Sequence, residues 1–176
     1  SMPPFIERNG KKKAAGYLAY NRNKKSLALD LSSNEGQKVF IDLAKKSDVV
    51  VENLRPGAMA KIGLSHEMLK VKNPRLIWAL ISGFGQLEHY RGPYTDRPAF
   101  DIVAEAMSGI MNLVGFDDKP PSWTIYGMAD IYSGMVTAFG IMQALFMRER
   151  TGRGQIVDSA MFDNMLSLNE SMVTLF

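Results

Sequence analysis

Residues 26–31 (SLALDL) alternate apolar and polar side chains with a period of two, the spacing of a strand. Ser33-Asn34-Glu35-Gly36 then has the composition of a helix start, and the spacing predicts a helix to about Lys46 with Val39, Phe40 and Leu43 on one face. Residues 48–51 (DVVV) form a short apolar run that predicts a buried strand, closed by the turn 53–57 (NLRPG). A brief helix is expected over 59–62, and Gly63-Leu64-Ser65 starts another that runs through Val71 and stops at Asn73-Pro74. Residues 76–81 (LIWALI) predict a third buried strand. Strand, helix, strand, helix, strand in this order implies an α/β fold: a parallel sheet with helices on its faces.

Beyond Ser82 a loop rich in Gly, Pro and Tyr extends to Arg97. A helix is expected from Phe100 to about Val114, with Ile102, Met107, Ile110 and Leu113 as its apolar positions, followed by a loop over 116–122. A long helix is expected from Asp130 to Arg150, then a strand or turn over 154–160, then a final helix over 161–175. No internal repeat or low-complexity segment interrupts the pattern. Ile131 to Met147 carries no charge, close to the ~20 residues that cross a bilayer. Its glycines (Gly134, Gly140) and polar residues (Ser133, Thr137, Gln143) fit a helix buried in a globular core better than a membrane span.

Composition adjusts this picture little. The 176 residues, 46% hydrophobic and 22% charged, suffice for one domain with a core. Without cysteine there is neither a disulfide framework nor thiol chemistry, and a reducing, cytoplasmic setting is the expectation. Two histidines and no cysteine argue against a zinc site, so no metal is expected. The net charge of +3 is mild, but Lys11-Lys12-Lys13 with Arg22, Lys24 and Lys25 forms a denser basic run. It reads either as a solvated face or as a patch for phosphate-bearing ligands. No base-reading or stacking motif accompanies it, so nucleic acid is not expected as a partner. The N-terminus lacks a signal peptide's apolar core, and Ser1-Met2 resembles an expression-vector remnant. The irregular, charged opening and the stop at Phe176 inside an apolar pattern suggest a portion of a longer protein.

In open parallel sheets, ligands gather at the carboxyl ends of strands. Here those ends are 53–57 and 82–86 (SGFGQ), both rich in Gly or Pro. Neither GxGxxG, GxSxG nor a P-loop is present. The remaining candidate is Asp130, at the start of the long helix. Aspartate favours helix N-caps, and it also acts as a covalent nucleophile. Residue chemistry alone leaves both roles open, and a helix N-terminus would keep such a carboxylate ionised.

Six blocks carry a more specific signal: 21–31 (NRNKKSLALDL), 48–64 (DVVVENLRPGAMAKIGL), 73–86 (NPRLIWALISGFGQ), 97–115 (RPAFDIVAEAMSGIMNLVG), 127–134 (GMADIYSG) and 148–158 (RERTGRGQIVD). In order and spacing they resemble the family III CoA-transferases, the CaiB/BaiF group, over nearly all of residues 17–176. The resemblance implies a Rossmann-like large domain, an interlocked homodimer, and acyl-CoA and free carboxylic acids as substrates. It aligns Asp130 with the family's catalytic aspartate, which passes through a mixed anhydride and an aspartyl-CoA thioester. It implies CoA contacts at Leu29, Asp30, Asn53, Leu54, Arg55 and Lys61, the last replacing an arginine, and places Arg97 to Phe100 beside the pantetheine. The motif 150–155 (RTGRGQ) is expected to be structural. On this alignment residues 1–176 are a partial large domain. The family's first strand and helix, its small domain and its C-terminal return segment fall outside the chain.

Two other readings compete. An acyl-CoA racemase of the same superfamily pairs the aspartate with a histidine, but this chain has Phe100 at that place, and His66 and His89 lie elsewhere. A non-catalytic CoA-binding fragment would use Asp130 only as a cap.

Overall fold

The computed structural model describes residues 3–169, which divide between Asp30 and Leu31 into two compact units. The part of the expected final helix beyond residue 169 lies outside the described residues.

The first unit departs from expectation. Its irregular, charged opening is a hairpin: β1 (Phe5–Arg8) pairs antiparallel with β2 (Lys11–Ala14), Phe5 opposite Ala14. Asn9 and Gly10 form its two-residue turn, with φ of 54° and 68°, the conformation that an Asn-Gly pair favours between twisted strands. Lys12 places its ammonium 5.3 Å from the centre of the Phe5 ring, and all three lysines of β2 face solvent. A short helix, α1 (Ala15–Tyr20), follows. The strand expected over 26–31 does not form. An alternating pattern makes a strand only where a neighbouring ladder takes up its N–H and C=O groups, and no described strand pairs with this segment.

The second unit is the predicted α/β fold. Three parallel strands, β3 (Val49–Glu52), β4 (Ile77–Ser82) and β5 (Ile156–Ala160), lie in the order β3-β4-β5, with Val49 opposite Ile77 and Trp78 opposite Ile156. The central strand's run Leu76–Ala79 is almost fully buried, as a parallel strand covered on both faces requires.

One core surrounds Trp78. It is built by Leu76, by α2 (Asn34–Lys46) through Ala44, by α3 (Ala58–Lys61) through Met59, and by Leu64 and α4 (His66–Lys72) through Leu69. Ser33 and Ser65 cap α2 and α4, their hydroxyls accepting from Gly36 N at 3.0 Å and Met68 N at 3.3 Å. The buried face of α2 is offset from the expected one: Phe40, Ile41 and Ala44 pack inward, while Val39 and Leu43 are exposed. Asn73 ends α4 and donates from its amide to Ala44 O and Ser47 O, both at 3.1 Å, fastening the end of α2.

Ile81, two residues on from Ala79 and on the strand face opposite Trp78, joins a second core. There α5 (Asp101–Ser108), α6 (Met128–Thr151) and α7 (Met161–Ser167) meet through Ala104, Ala129, Met161 and Met165. The helix expected to reach Val114 ends at Ser108, because Gly109 turns left-handed (φ 84°) and a 3₁₀ turn over Ile110–Asn112 follows. Helix α6 lies close on β5, where a methyl added at Gly140 would come within 2.8 Å of Val157. No described helix is long and apolar enough to cross a membrane.

The far end of α6 explains the motif 150–155. A Cβ at Gly154 would lie 1.9 Å from the Leu76 carbonyl oxygen, so backbone passes directly over backbone there. Arg148, 8% exposed, reaches Asp48 at 2.9 Å and donates to Arg75 O at 3.3 Å. The motif is a helix stop and a turn that leads into β5, a structural role as expected.

Candidate functional site

At the carboxyl edge of the sheet the loops after β3 and β4 open onto a cavity of about 600 Å³. Asn53, Leu54, Arg55 and Pro56 line it from the first loop, and Ile81, Ser82 and Gly83 from the end of β4. The segment 97–100 forms another wall, and Asp130 of α6 and Met161 of α7 complete it. Six of the expected site residues, Asn53, Leu54, Arg55, Arg97, Phe100 and Asp130, therefore share one cavity.

Local chemistry explains each wall. Asp158 on β5 accepts from Gln86 N at 2.6 Å and Leu87 N at 2.8 Å, and Ser82 Oγ accepts from Gly85 N at 3.0 Å, fixing the loop after β4. At Gly83 a Cβ would come 2.5 Å from the Ala99 Cβ, so the strand end and the wall bearing Arg97 and Phe100 touch through the space a side chain would fill. Arg97 stacks over Tyr94 at 4.8 Å, and among the described residues neither Arg55 nor Arg97 forms an ion pair. Both guanidiniums are thus available to an anion. Phe100 is 80% exposed, an aromatic face presented at the cavity rim.

Asp130 is not the N-cap of α6. That position is Gly127, and Asp130 is the third residue of the helix. The capping acceptor comes from α5: buried Asp101 takes the N–H of Gly127 through Oδ2 at 3.2 Å, and those of Ala129 and Asp130 through Oδ1 at 2.7 and 3.2 Å. With the helix terminus already serving Asp101, the Asp130 carboxyl is pushed above its usual value of 3.8, first by desolvation and second by the charge of Asp101. The helix terminus is therefore shared: its N–H groups serve Asp101, and Asp130 stands beside them with its carboxyl above the ordinary value. Among the described residues Asp130 is the one carboxylate on the cavity wall, and it is exposed there.

Three expected residues lie elsewhere. Lys61 is exposed at the end of α3 and lines a second cavity of about 810 Å³, which shares Pro56 with the first. Leu29 and Asp30 belong to the first unit. His66 and His89 also line the second cavity. His66 stands edge-on to Trp78, and burial pushes its pKa below 6.5. Among the described residues no cluster of His, Cys, Asp and Glu could hold a metal ion.

Asp101 and Glu105 escaped the sequence reading. Glu105 is 0% exposed; its Oε1 accepts from Trp123 Nε1 at 3.1 Å, and its Oε2 from Thr124 N at 3.2 Å and Thr124 Oγ1 at 2.7 Å. The available signal was two acids one turn apart on an otherwise apolar helix, which demand partners if buried.

Residues 1–175 match the family model described as CoA-transferase family III. The chain is 40% identical over 174 residues to the succinyl-CoA:mesaconate CoA-transferase of Haloarcula hispanica, covering 98% of this chain and 44% of that protein. It is 43% identical over 149 residues to the acetyl-CoA:oxalate CoA-transferase of Acetobacter aceti, covering 84% of this chain and 37% of that one. The crystal structure of a CAIB/BAIF family protein from Brucella suis superposes with a TM-score of 0.91 at 39% identity, covering 98% of this chain and 45% of the other. The chain thus spans less than half the length of these relatives. With a parallel sheet, a cavity at its carboxyl edge and a match along its whole length, the chain belongs to CoA-transferase family III.

Proposed function

We propose that the protein moves coenzyme A from an acyl-CoA thioester to a free carboxylic acid, with Asp130 as nucleophile. The observation that carries this reading is the meeting of Asp130, Arg55, Arg97 and the 53–54 turn around one cavity. The relatives' names, which pair a CoA thioester with an acid, support the same class of reaction.

In this mechanism a carboxylate oxygen of Asp130 attacks the thioester carbonyl and expels CoA thiolate, leaving a mixed anhydride. The thiolate attacks the aspartyl carbonyl and releases the donor's acid, leaving an aspartyl-CoA thioester. The acceptor carboxylate attacks that carbonyl and expels the thiolate. The thiolate then takes the acceptor's acyl group and frees Asp130. One negative charge is handed on at each step, so no external acid or base is consumed. Asp130 is exposed at the cavity, so a thioester carbonyl can reach it, and desolvation and the neighbouring Asp101 raise its carboxyl above the ordinary value.

The unpaired Arg55 and Arg97 suit anionic groups of CoA or of the acids, with Asn53, Leu54 and Phe100 beside them. Lys61, Leu29 and Asp30 are assigned further CoA contacts. Racemisation would need a second proton carrier facing Asp130; Phe100 occupies that wall, and both histidines line the other cavity.

Residues 1–176 are assigned to the large, CoA-binding domain of a homodimer. The row Ile131, Met135, Phe139, Met142 and Phe146, exposed along one side of α6, supports a covering partner surface.

Hydroxylamine added during turnover of the full-length protein intercepts an activated aspartyl carbonyl. The expected product is a hydroxamate on Asp130, absent from Asp130→Ala. Turnover without any Asp130 adduct would sink the reading.

A further inference from the structure

Helix α5 carries two buried acids on one face, Asp101 and Glu105, one turn apart. Like charges at this spacing repel, and among the described residues neither has an ion-pair partner. Each is balanced instead by three hydrogen bonds, and all six come from a single stretch of chain, residues 123–130. Asp101 takes the first turn of α6, including the N–H of Asp130 itself, while Glu105 takes the indole and the threonine that enter that turn. Between them lie Ile125 and Tyr126, both exposed, and the Tyr126 ring meets Trp123, itself one of the residues held by Glu105, edge-on at 5.7 Å.

We infer that Glu105 is a positioning residue for Asp130: with Asp101 it clamps residues 123–130 onto α5 and so sets where the nucleophile stands in the cavity. The inference rests on Asp130 being the nucleophile. It extends the machinery to a side chain that touches neither the cavity nor any reacting atom. The donors are specific for a carboxylate. The Trp123 indole and the Thr124 amide can only donate, so Glu105→Gln, equal in size, would turn an NH₂ against one of them. Misplacement by about 1 Å at a reacting group costs on the order of a hundredfold in rate, so partial loosening should be visible in chemistry before it is visible in binding.

The test is single-turnover formation of the hydroxylamine-trapped Asp130 adduct in full-length protein. Glu105→Gln is expected to slow adduct formation by about tenfold or more, with KM for the donor thioester within about twofold of wild type. Trp123→Phe removes one of the three donors and keeps Glu105, so it is expected to slow the step by about threefold, again without a KM change. If Glu105→Gln does not fold, Trp123→Phe decides alone. Wild-type rates in the variants that fold would overturn the positioning role and leave the nucleophile intact. An adduct missing from the wild-type protein would overturn the nucleophile, and this inference with it.

Discussion

The two ends of α6 are each tied down by one buried charge, and they could hardly be used more differently. At the carboxyl end Arg148 complements the helix dipole, pairs with Asp48 and donates to Arg75 O, while Gly154 brings the next strand against Leu76. At the amino end the dipole is satisfied by Asp101, a side chain of another helix, and the helix's own acid, Asp130, is left facing a cavity with its ionised form disfavoured. A charge paired within the fold builds the scaffold, whereas one left open to a cavity is free to react.

The largest effect is expected where backbone meets backbone. Gly154→Ala should cost about 3 kcal/mol or more, read as a fall in the denaturation midpoint, because neither Leu76 nor the loop can yield to a Cβ at 1.9 Å. Tolerance of that change would mean that the carboxyl end is not built as rigidly as described.

The comparison sharpens with a matched pair. Arg148→Met keeps the buried stem and should cost about 1–2 kcal/mol of stability while kcat per folded molecule stays near wild type. Asp101→Ala should cost a similar ~2 kcal/mol but also lower kcat, since it frees the turn that holds Asp130. Equal effects of the two on kcat would erase the distinction between the ends.

The smallest effect concerns pH. A raised folded value means that ionised Asp130 opposes folding, so Asp130→Asn should give a slightly higher Tm at pH 7. That advantage should shrink as pH falls from the raised value towards 3.8 and be gone below it. Wild-type kcat/KM should fall through the same raised value, as the nucleophile of the free protein protonates. A Tm advantage unchanged from pH 7 to pH 3 would contradict the desolvated carboxyl.

What could be read from the chain follows from how local each signal is. Residues 76–81 form an apolar run too short for a helix and bounded by turn residues, so the central strand and the parallel sheet were legible from composition alone. The turn 53–57 and Asp130 were candidates from strand-end position and residue chemistry, whereas Arg97 and Phe100 were legible only through the family resemblance; no periodicity relates residues so far apart, and the fold brings them to one cavity. The hairpin at 5–14 hid behind three lysines, although Asn9-Gly10 marked its turn. The strand over 26–31 was read from alternation, but alternation carries no information about a partner. Asp101 and Glu105 were missed because their donors lie 18 to 29 residues downstream, beyond the reach of any helix-spacing rule.

Gly83 has a bearing on redesign. The wall that carries Arg97 and Phe100 rests on the end of β4 through a gap where a side chain would be, so the width of the cavity there is set by main chain and not by a rotamer. Repacking cannot widen it and thermal rotation cannot narrow it. A single carbon added at position 83 would meet the Ala99 methyl at 2.5 Å and press the wall that bears Arg97 and Phe100 away from the strand end.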